Sequence, residues 1–582
     1  MSKFTAKMKY LMGLILNLIM NHKLYLTIAI AGAAATAGHA FVMQNLLLTG
    51  EGSGEVVSYA GGKLAFTNNP SGGVSLYDIG NDFSFNNRVD VNFSGYSYGS
   101  NFAFSSVTSV SYDARGFGFA AIQGSGGAQG RLGVFDSSGS ILGTYSVGNN
   151  PDMVRIAGNR VVIANEGEFG ASGTFTGTAD TAGSVSYFTI NTGTGNAFSS
   201  LSSETQIGFS SFTDAALNTA GIRRHADDYA VNESYKNLEP EYVAVSGDKA
   251  FVTLQENNAI AIVDLNTNTV DNIVDLGTHV VTVDASDKND IAIDDKVKGM
   301  VMPDSIEVFE TNGKTYIIVA SEGDARGDDA DIFDGRVGSS IADGGVVPDT
   351  GNGEFAAPGD LNADGIDDAF AANNPHGLTI SLDDNAGIGR AKAILKSSDT
   401  DNDGDLDDII MLSDRGVTVY EYTGNTLVEV DHLEGIEAFF AAQDPTRHNA
   451  NEGGLVSEFD KRSDDKGPEL EALAVAEING AILAAVAAER QGGIALLDIS
   501  DPTNTSILSD FYINGEPNDL IAPETMQFIE LNGETFLLVG FEGESGVSGG
   551  IGIYSVPEPS TYAAIFGILA LGYAVTRRKF RS

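Results

Sequence analysis

The residues of this chain that could do chemistry are mostly acids, and they fall into two patterns. The first is a pair of loops. Asp399, Asp401, Asp403, Asp405 and Asp407 alternate along one loop, with Gly404 permitting a sharp turn. Asp360, Asn362, Asp364 and Asp368 repeat the arrangement around Gly365. Calcium takes six to eight oxygens at about 2.3–2.6 Å, and alternating loop residues place their oxygens on one concave side. Position 12 is Ile410 in the first loop and Ala371 in the second, so neither carries the glutamate of an EF-hand. Calcium is the cofactor expected, with a solvated acidic turn as the alternative at each loop.

The second pattern recurs along the chain. One acid stands where a first strand should begin: Asp152, Glu241, Asp304, Glu471 and Glu524. Another stands where the following strand should end: Glu166, Glu256, Glu322, Glu489 and Glu542. In an antiparallel pair, the start of one strand and the end of the next share an edge. A closed ring of such pairs would gather these carboxylates at one channel mouth. Like charges that close need cations or basic partners. Arg326, Arg462, Lys466 and Arg490 are candidate partners, joined by Arg223, Arg224 and His225. Metal held by acids beside guanidinium groups would suit a phosphate-bearing substrate. The alternative is that the acids cap strand ends and brace turns between repeats.

The elements that must position these acids are short strands. Leu238–Leu265 shows the unit: Tyr242–Val245, a turn at Ser246-Gly247-Asp248, Ala250–Leu254, a polar turn, and Ala259–Val263. Such a unit cannot bury both faces alone. Related stretches begin near Glu55, Val107, Pro151, Pro303, Pro468 and Pro523. In the fifth, a long polar insertion is expected before DDIIML and GVTVYEY complete the set. Seven repeats of mostly strand predict an all-β fold, a seven-bladed β-propeller, because ring closure protects strand edges. The boundaries near residues 200–238 and 424–466 are the least defined.

Composition agrees. Of 582 residues 70 are Gly, while Cys and Trp are absent, so no disulfide staples the fold. The net charge of −46 makes nucleic acid and anionic membranes poor partners and divalent cations good ones. Catalytic motifs are weak. Gly546-Val547-Ser548-Gly549-Gly550 lacks the helix of a nucleophile elbow. His225, His279, His376, His432 and His448 are scattered without ligand spacing, which argues against zinc chemistry built on histidine.

Both ends read as sorting devices. Residues 1–40 combine lysines, apolar runs and a small-residue exit, the pattern of a secretory signal, with Met1 or Met20 as its start. Residues 557–582 hold Pro557-Glu558-Pro559, an apolar run, and Arg577, Arg578, Lys579 and Arg581. That combination resembles the PEP-CTERM sorting signal. The resemblance implies a Gram-negative bacterium, removal of the tail by an exosortase-type enzyme, and delivery to the cell surface or extracellular matrix, with membrane contact only through the terminal segments before processing.

Between these ends, residues 41–556 form the expected propeller, interrupted by an insertion over about 324–395. PEYVAVSGDKAFVTLQENNAIAIVDL, MPDSIEVFETNGKTYIIVASEGDAR, DTDNDGDLDDIIML and FDKRSDDKGPELEALAV resemble the choice-of-anchor I family of secreted, propeller-like proteins. The leading expectation is a calcium-binding binding or scaffold module, with extracellular polysaccharide as a ligand. The alternative is a metal-dependent phosphoester hydrolase, phosphatase- or phytase-like, with its site at the channel mouth.

Overall fold

The computed structural model describes residues 41–556 apart from 100–101, 126–127, 168–180, 225–228, 325–389, 399–408, 452–454, 515–521 and 544–545. Seven antiparallel sheets stand around an axis. Their inner strands are Ser53–Ala60, Phe104–Asp113, Pro151–Ala157, Pro240–Ser246, Pro303–Thr311, Leu470–Ile478 and Pro523–Leu531, here blades one to seven. Each inner strand packs against those of its two neighbours, and the seventh packs against the first. The chain is a closed seven-bladed β-propeller.

Closure uses a strand from far away in sequence. Val42–Leu48 pairs antiparallel with Gly550–Ser555 and becomes the outer strand of blade seven. The two ends of the described chain thus lock one blade. That strand was not anticipated, because its apolar run follows directly on the apolar N-terminal segment.

The core lies between blades rather than in one centre. A separate apolar cluster fills each of the seven junctions, including blade seven against blade one through Leu538, Ile553, Leu64 and Phe66. This explains the strand composition. In blade four, Lys249–Leu254 and Ala259–Asp264 are buried on both faces and read as nearly unbroken apolar runs. The outer strand Thr269–Asp275 faces solvent and is polar.

Blade five departs from expectation. Its third and fourth strands are Val417–Thr423 and Thr426–Leu433. Ile410–Met411, expected within the blade, instead pairs in parallel with Asp295–Met300. Together with Thr278–Val283 these make a three-stranded sheet beside blades four and five. An apolar dipeptide is too short to show in sequence which neighbour it will choose. Among the described residues, no helix is long and apolar enough to cross a membrane.

Candidate functional site: the carboxylate mouth of the channel

The inner strands share one irregularity. In blades one and three to seven, the register with the second strand shifts within the first few residues, as between Pro151 and Val154 or Pro303 and Ile306. Glu55, Asp152, Glu241, Asp304, Glu471 and Glu524 all lie in these bulged segments. A bulge re-aims a side chain, and repeating it around the ring points six acids at one mouth. Blade two carries Thr108 at its corresponding shift, and that hydroxyl donates to the Pro151 carbonyl at 2.7 Å. In four blades the residue just before the inner strand has left-handed backbone: Asn150 (φ 46°), Met302 (33°), Glu469 (52°) and Ala522 (54°). Such angles cost about 1 kcal/mol or more for a side chain other than glycine or asparagine, and strain of this kind concentrates at functional sites.

The second set of acids is pinned by backbone. Glu166, Glu489 and Glu542 donate their N–H groups to the carbonyls of Asn150, Glu469 and Ala522 at 2.9, 2.9 and 3.0 Å. These bonds hold the end of each second strand against the start of the first.

The channel encloses about 1090 Å³. Glu55, Asp152, Glu166, Glu239, Glu241, Glu256, Asp304, Asp324, Glu471 and Glu524 are among its lining residues. Further along the same strands the lining changes. Arg155 is three residues past Asp152, about 10 Å deeper, and pairs with Glu307 of blade five at 2.7 Å. Asp113 and Arg115 pair nearby. Acid is matched by base there.

Burial, then mutual repulsion, pushes the carboxyls of Glu241, Asp304, Glu471 and Glu524 far above the usual range. The same causes lift Glu55 to about 8. The repulsions run around the ring: Glu241 feels Asp304 and Asp152, Glu471 feels Asp304 and Glu524, and Glu524 feels Glu55. The Oε2 of Glu241 and the Oδ2 of Asp304 are buried with no hydrogen-bond partner.

Two trios could hold an ion. Asp304, Glu322 and Glu471 each offer an oxygen within 4.8 Å of the others, and so do Glu322, Glu469 and Glu489. Among the described residues, basic side chains reach Glu322, which both trios share, and Glu469 of the second. Lys466 Nζ lies 3.0 Å from Glu469 and 3.4 Å from Glu322, and Arg462 and Arg490 approach Glu469 at 2.9 and 3.3 Å. Burial opposes charge on Glu469, but Lys466, Arg462 and Arg490 hold its carboxyl below the usual range. Burial raises Glu489 to about 8 despite Arg490 beside it. The first trio, all carboxylate, fits a hard cation such as calcium.

Sequence spacing and structure differ in several particulars. Arg462, Lys466 and Arg490 gather on one side of the mouth, around Glu469, a residue passed over in favour of Glu471 within Pro468-Glu469-Leu470-Glu471. Glu55 was also passed over, since no Pro precedes it. Arg223 donates to the backbone carbonyl of Glu256. Arg224 binds Ser234, Asn218 and carbonyls of its own loop, because that loop folds back on itself. Arg326, His225, both expected calcium loops (Asp360–Asp368 and Asp399–Asp407) and both terminal signals lie outside the described residues. The histidines are less scattered than their spacing suggests: His279 and His432 stack with ring centroids 3.7 Å apart beside Asp414, and His448 meets Asp284 and Asp460.

No curated protein matches the chain. Among solved structures, hydrazine synthase of Kuenenia stuttgartiensis is 9% identical, with a TM-score of 0.38 over 86% of this chain and 98% of that one. Saccharomyces cerevisiae Sqt1 is 9% identical, with a TM-score of 0.38 over 88% and 87%. The allergen Mala s 1 of Malassezia sympodialis is 10% identical, with a TM-score of 0.33 over 76% and 90%. Likenesses this distant say nothing about chemistry. The model of the choice-of-anchor I domain matches residues 55–502, most of the propeller, and the chain belongs to the choice-of-anchor I family.

Proposed function

We propose that this protein is an exported surface module that holds a hard divalent cation, calcium foremost, at the acidic mouth of its channel and uses it to bind an anionic extracellular ligand such as an acidic polysaccharide. Membership of the choice-of-anchor I family supports a surface-type propeller module. The observation that carries the cation is the Asp304–Glu322–Glu471 trio: Asp304 and Glu322 are buried, Glu471 is half-buried, and one oxygen of each lies within 4.8 Å of the others. A bound ion would neutralise those acids and leave coordination positions facing the channel for a ligand's own oxygens. The terminal sorting signals and the two Asp-rich loops belong to the same reading, the loops as additional calcium sites. The test is binding of the purified protein to immobilised acidic and neutral polysaccharides, with calcium and with EGTA. Retention on acidic polymers that EGTA and Glu471→Gln both abolish supports the reading; retention indifferent to both counts against it.

A second reading, a metal-dependent phosphoester hydrolase, is favoured by one observation: Arg462, Lys466 and Arg490 stand on a single side of the mouth, beside the acids. Cations there could receive a phosphoryl group bridged to a metal. A phosphoester panel that includes phytate, assayed with calcium and with EGTA, decides it. Turnover lost in a Glu489→Gln, Arg490→Ala variant favours the hydrolase, and no turnover by folded, calcium-loaded protein removes it.

A further inference from the structure

Away from the channel, the loop joining blades five and six runs back against the small three-stranded sheet. Asp284 ends the sheet strand Thr278–Val283, while His448 and Asp460 come from the loop. Asp284 and His448 are wholly buried and Asp460 is 5% exposed. Each offers one ligand atom within 4.8 Å of the other two. The His448 Nε2 lies 3.1 Å from the Asp284 Oδ2.

The surroundings are short of positive charge. The Asp284 carboxylate accepts from the Ala292 and Ser286 N–H groups at 2.9 and 3.3 Å. The buried Arg415 sits beside the group, but its Nη1 and Nη2 are directed to Glu437 at 2.6 Å and to the carbonyls of Asp284 and Ser463 at 2.8 and 2.7 Å. Arg390 and Lys288 pair with Asp287. Among the described residues, Asp460 accepts from the Ser463 hydroxyl at 2.7 Å. Among the described residues, the buried His448 Nδ1 and the Oδ1 of the adjacent Asn449 find no hydrogen-bond partner. Two carboxylates enclosed with one imidazole are costly unless paired. Lone pairs left without donors are what a cation satisfies.

We propose that Asp284, His448 and Asp460 form an internal site for one divalent transition ion of the zinc or manganese class. One imidazole and two carboxylates suit such an ion better than calcium, whose ligands are all oxygen. Full enclosure makes the site structural, with no position open to substrate. Its consequence is mechanical. Asp460 and Glu469 bound one short loop, which also carries Arg462 and Lys466, so an ion tying Asp460 to Asp284 fixes the basic side of the channel mouth.

The test is metal retention by the purified protein, stripped with chelator, reloaded with cobalt(II) or zinc in excess calcium, and passed through gel filtration. The expected result is one cobalt equivalent per chain with visible d–d absorption, absent from His448→Gln and Asp460→Asn and kept by Glu471→Gln. Zinc should raise the melting temperature of the wild type and of Glu471→Gln but not of Asp460→Asn. Should the His448 variant fail to fold, the near-isosteric Asp460→Asn and X-ray absorption of the loaded wild type, expected to show one imidazole ligand, still decide. Folded wild type that retains no transition metal overturns the proposal, as does an equivalent retained undiminished by folded Asp460→Asn. Loss of the equivalent in Glu471→Gln alone would place the ion at the channel mouth and overturn it too.

Discussion

Asp304 of blade five and Glu471 of blade six bring carboxylate oxygens within 4.8 Å of each other across the junction between their inner strands. Two carboxylates so close and so shielded from water cannot both stay charged without a partner. The mouth of the channel therefore holds protons at pH values where free carboxylates have lost them, unless a cation takes their place.

Stability of the cation-free protein should fall as pH rises. Burial and repulsion raise Glu55 and Glu489 from 4.5 to about 8, and lift Glu241, Asp304, Glu471 and Glu524 well above the usual range. The folded state then binds more protons than the unfolded chain, so this contribution is complete below the ordinary carboxyl value and is lost as pH rises through the folded values. Melting of EGTA-treated protein should move to lower temperature between about pH 5 and pH 8, and calcium should flatten the decline. A melting temperature that rises over that interval without calcium contradicts the picture.

Removing one acid of the trio should have opposite effects with and without the ion. Glu471→Gln relieves repulsion and should stabilise the calcium-free protein at pH 8. The same change deletes a ligand and should weaken calcium binding at the mouth roughly tenfold or more, about 1.4 kcal/mol. Parallel thermal melts and calorimetric titrations check both signs; destabilisation in the absence of calcium would show that Glu471 braces the fold instead.

The basic side of the mouth should be intolerant of losing its lysine. Lys466 is 7% exposed at its side chain and touches both Glu322 and Glu469. Lys466→Met leaves buried carboxylates without their partner and should cost about 3–5 kcal/mol. Adding Glu469→Gln should recover part of that loss, which a double-mutant cycle in denaturant measures. Strict additivity would mean that the pair does not interact.

Ring closure should depend on a strand that contains none of the channel acids. Leu46 packs against the apolar cluster between blades six and seven, and Leu47 against that between seven and one. Replacing both by Ala should cost about 2 kcal/mol, because each is only partly buried. An unchanged denaturation midpoint would argue that the ring closes without this strand.

The propeller was legible because its second and third strands are buried on both faces and so repeat as apolar runs at regular intervals. The acids at the strand edges were legible for a related reason: Pro before Asp152, Glu241, Asp304 and Glu524 marks where each inner strand begins. What escaped depended on contacts between distant segments. Val42–Leu48 finds its partner at Gly550–Ser555, a pairing no local pattern announces. Glu469 and Glu471 are two residues apart with similar neighbours, yet one is clamped by three cations and the other faces the channel. His448 lies 164 positions from Asp284, far outside any local ligand spacing.

The most direct test of the central claim is the number of calcium ions bound per chain once the Asp-rich loops are disabled. Asp360, Asp364, Asp399 and Asp403 would be replaced by Asn, and calcium titrated calorimetrically into that variant with and without Glu471→Gln. One site that survives loss of the loops and vanishes with Glu471→Gln is the predicted result. No remaining site, or a remaining site indifferent to Glu471→Gln, would contradict a cation at the mouth of the channel.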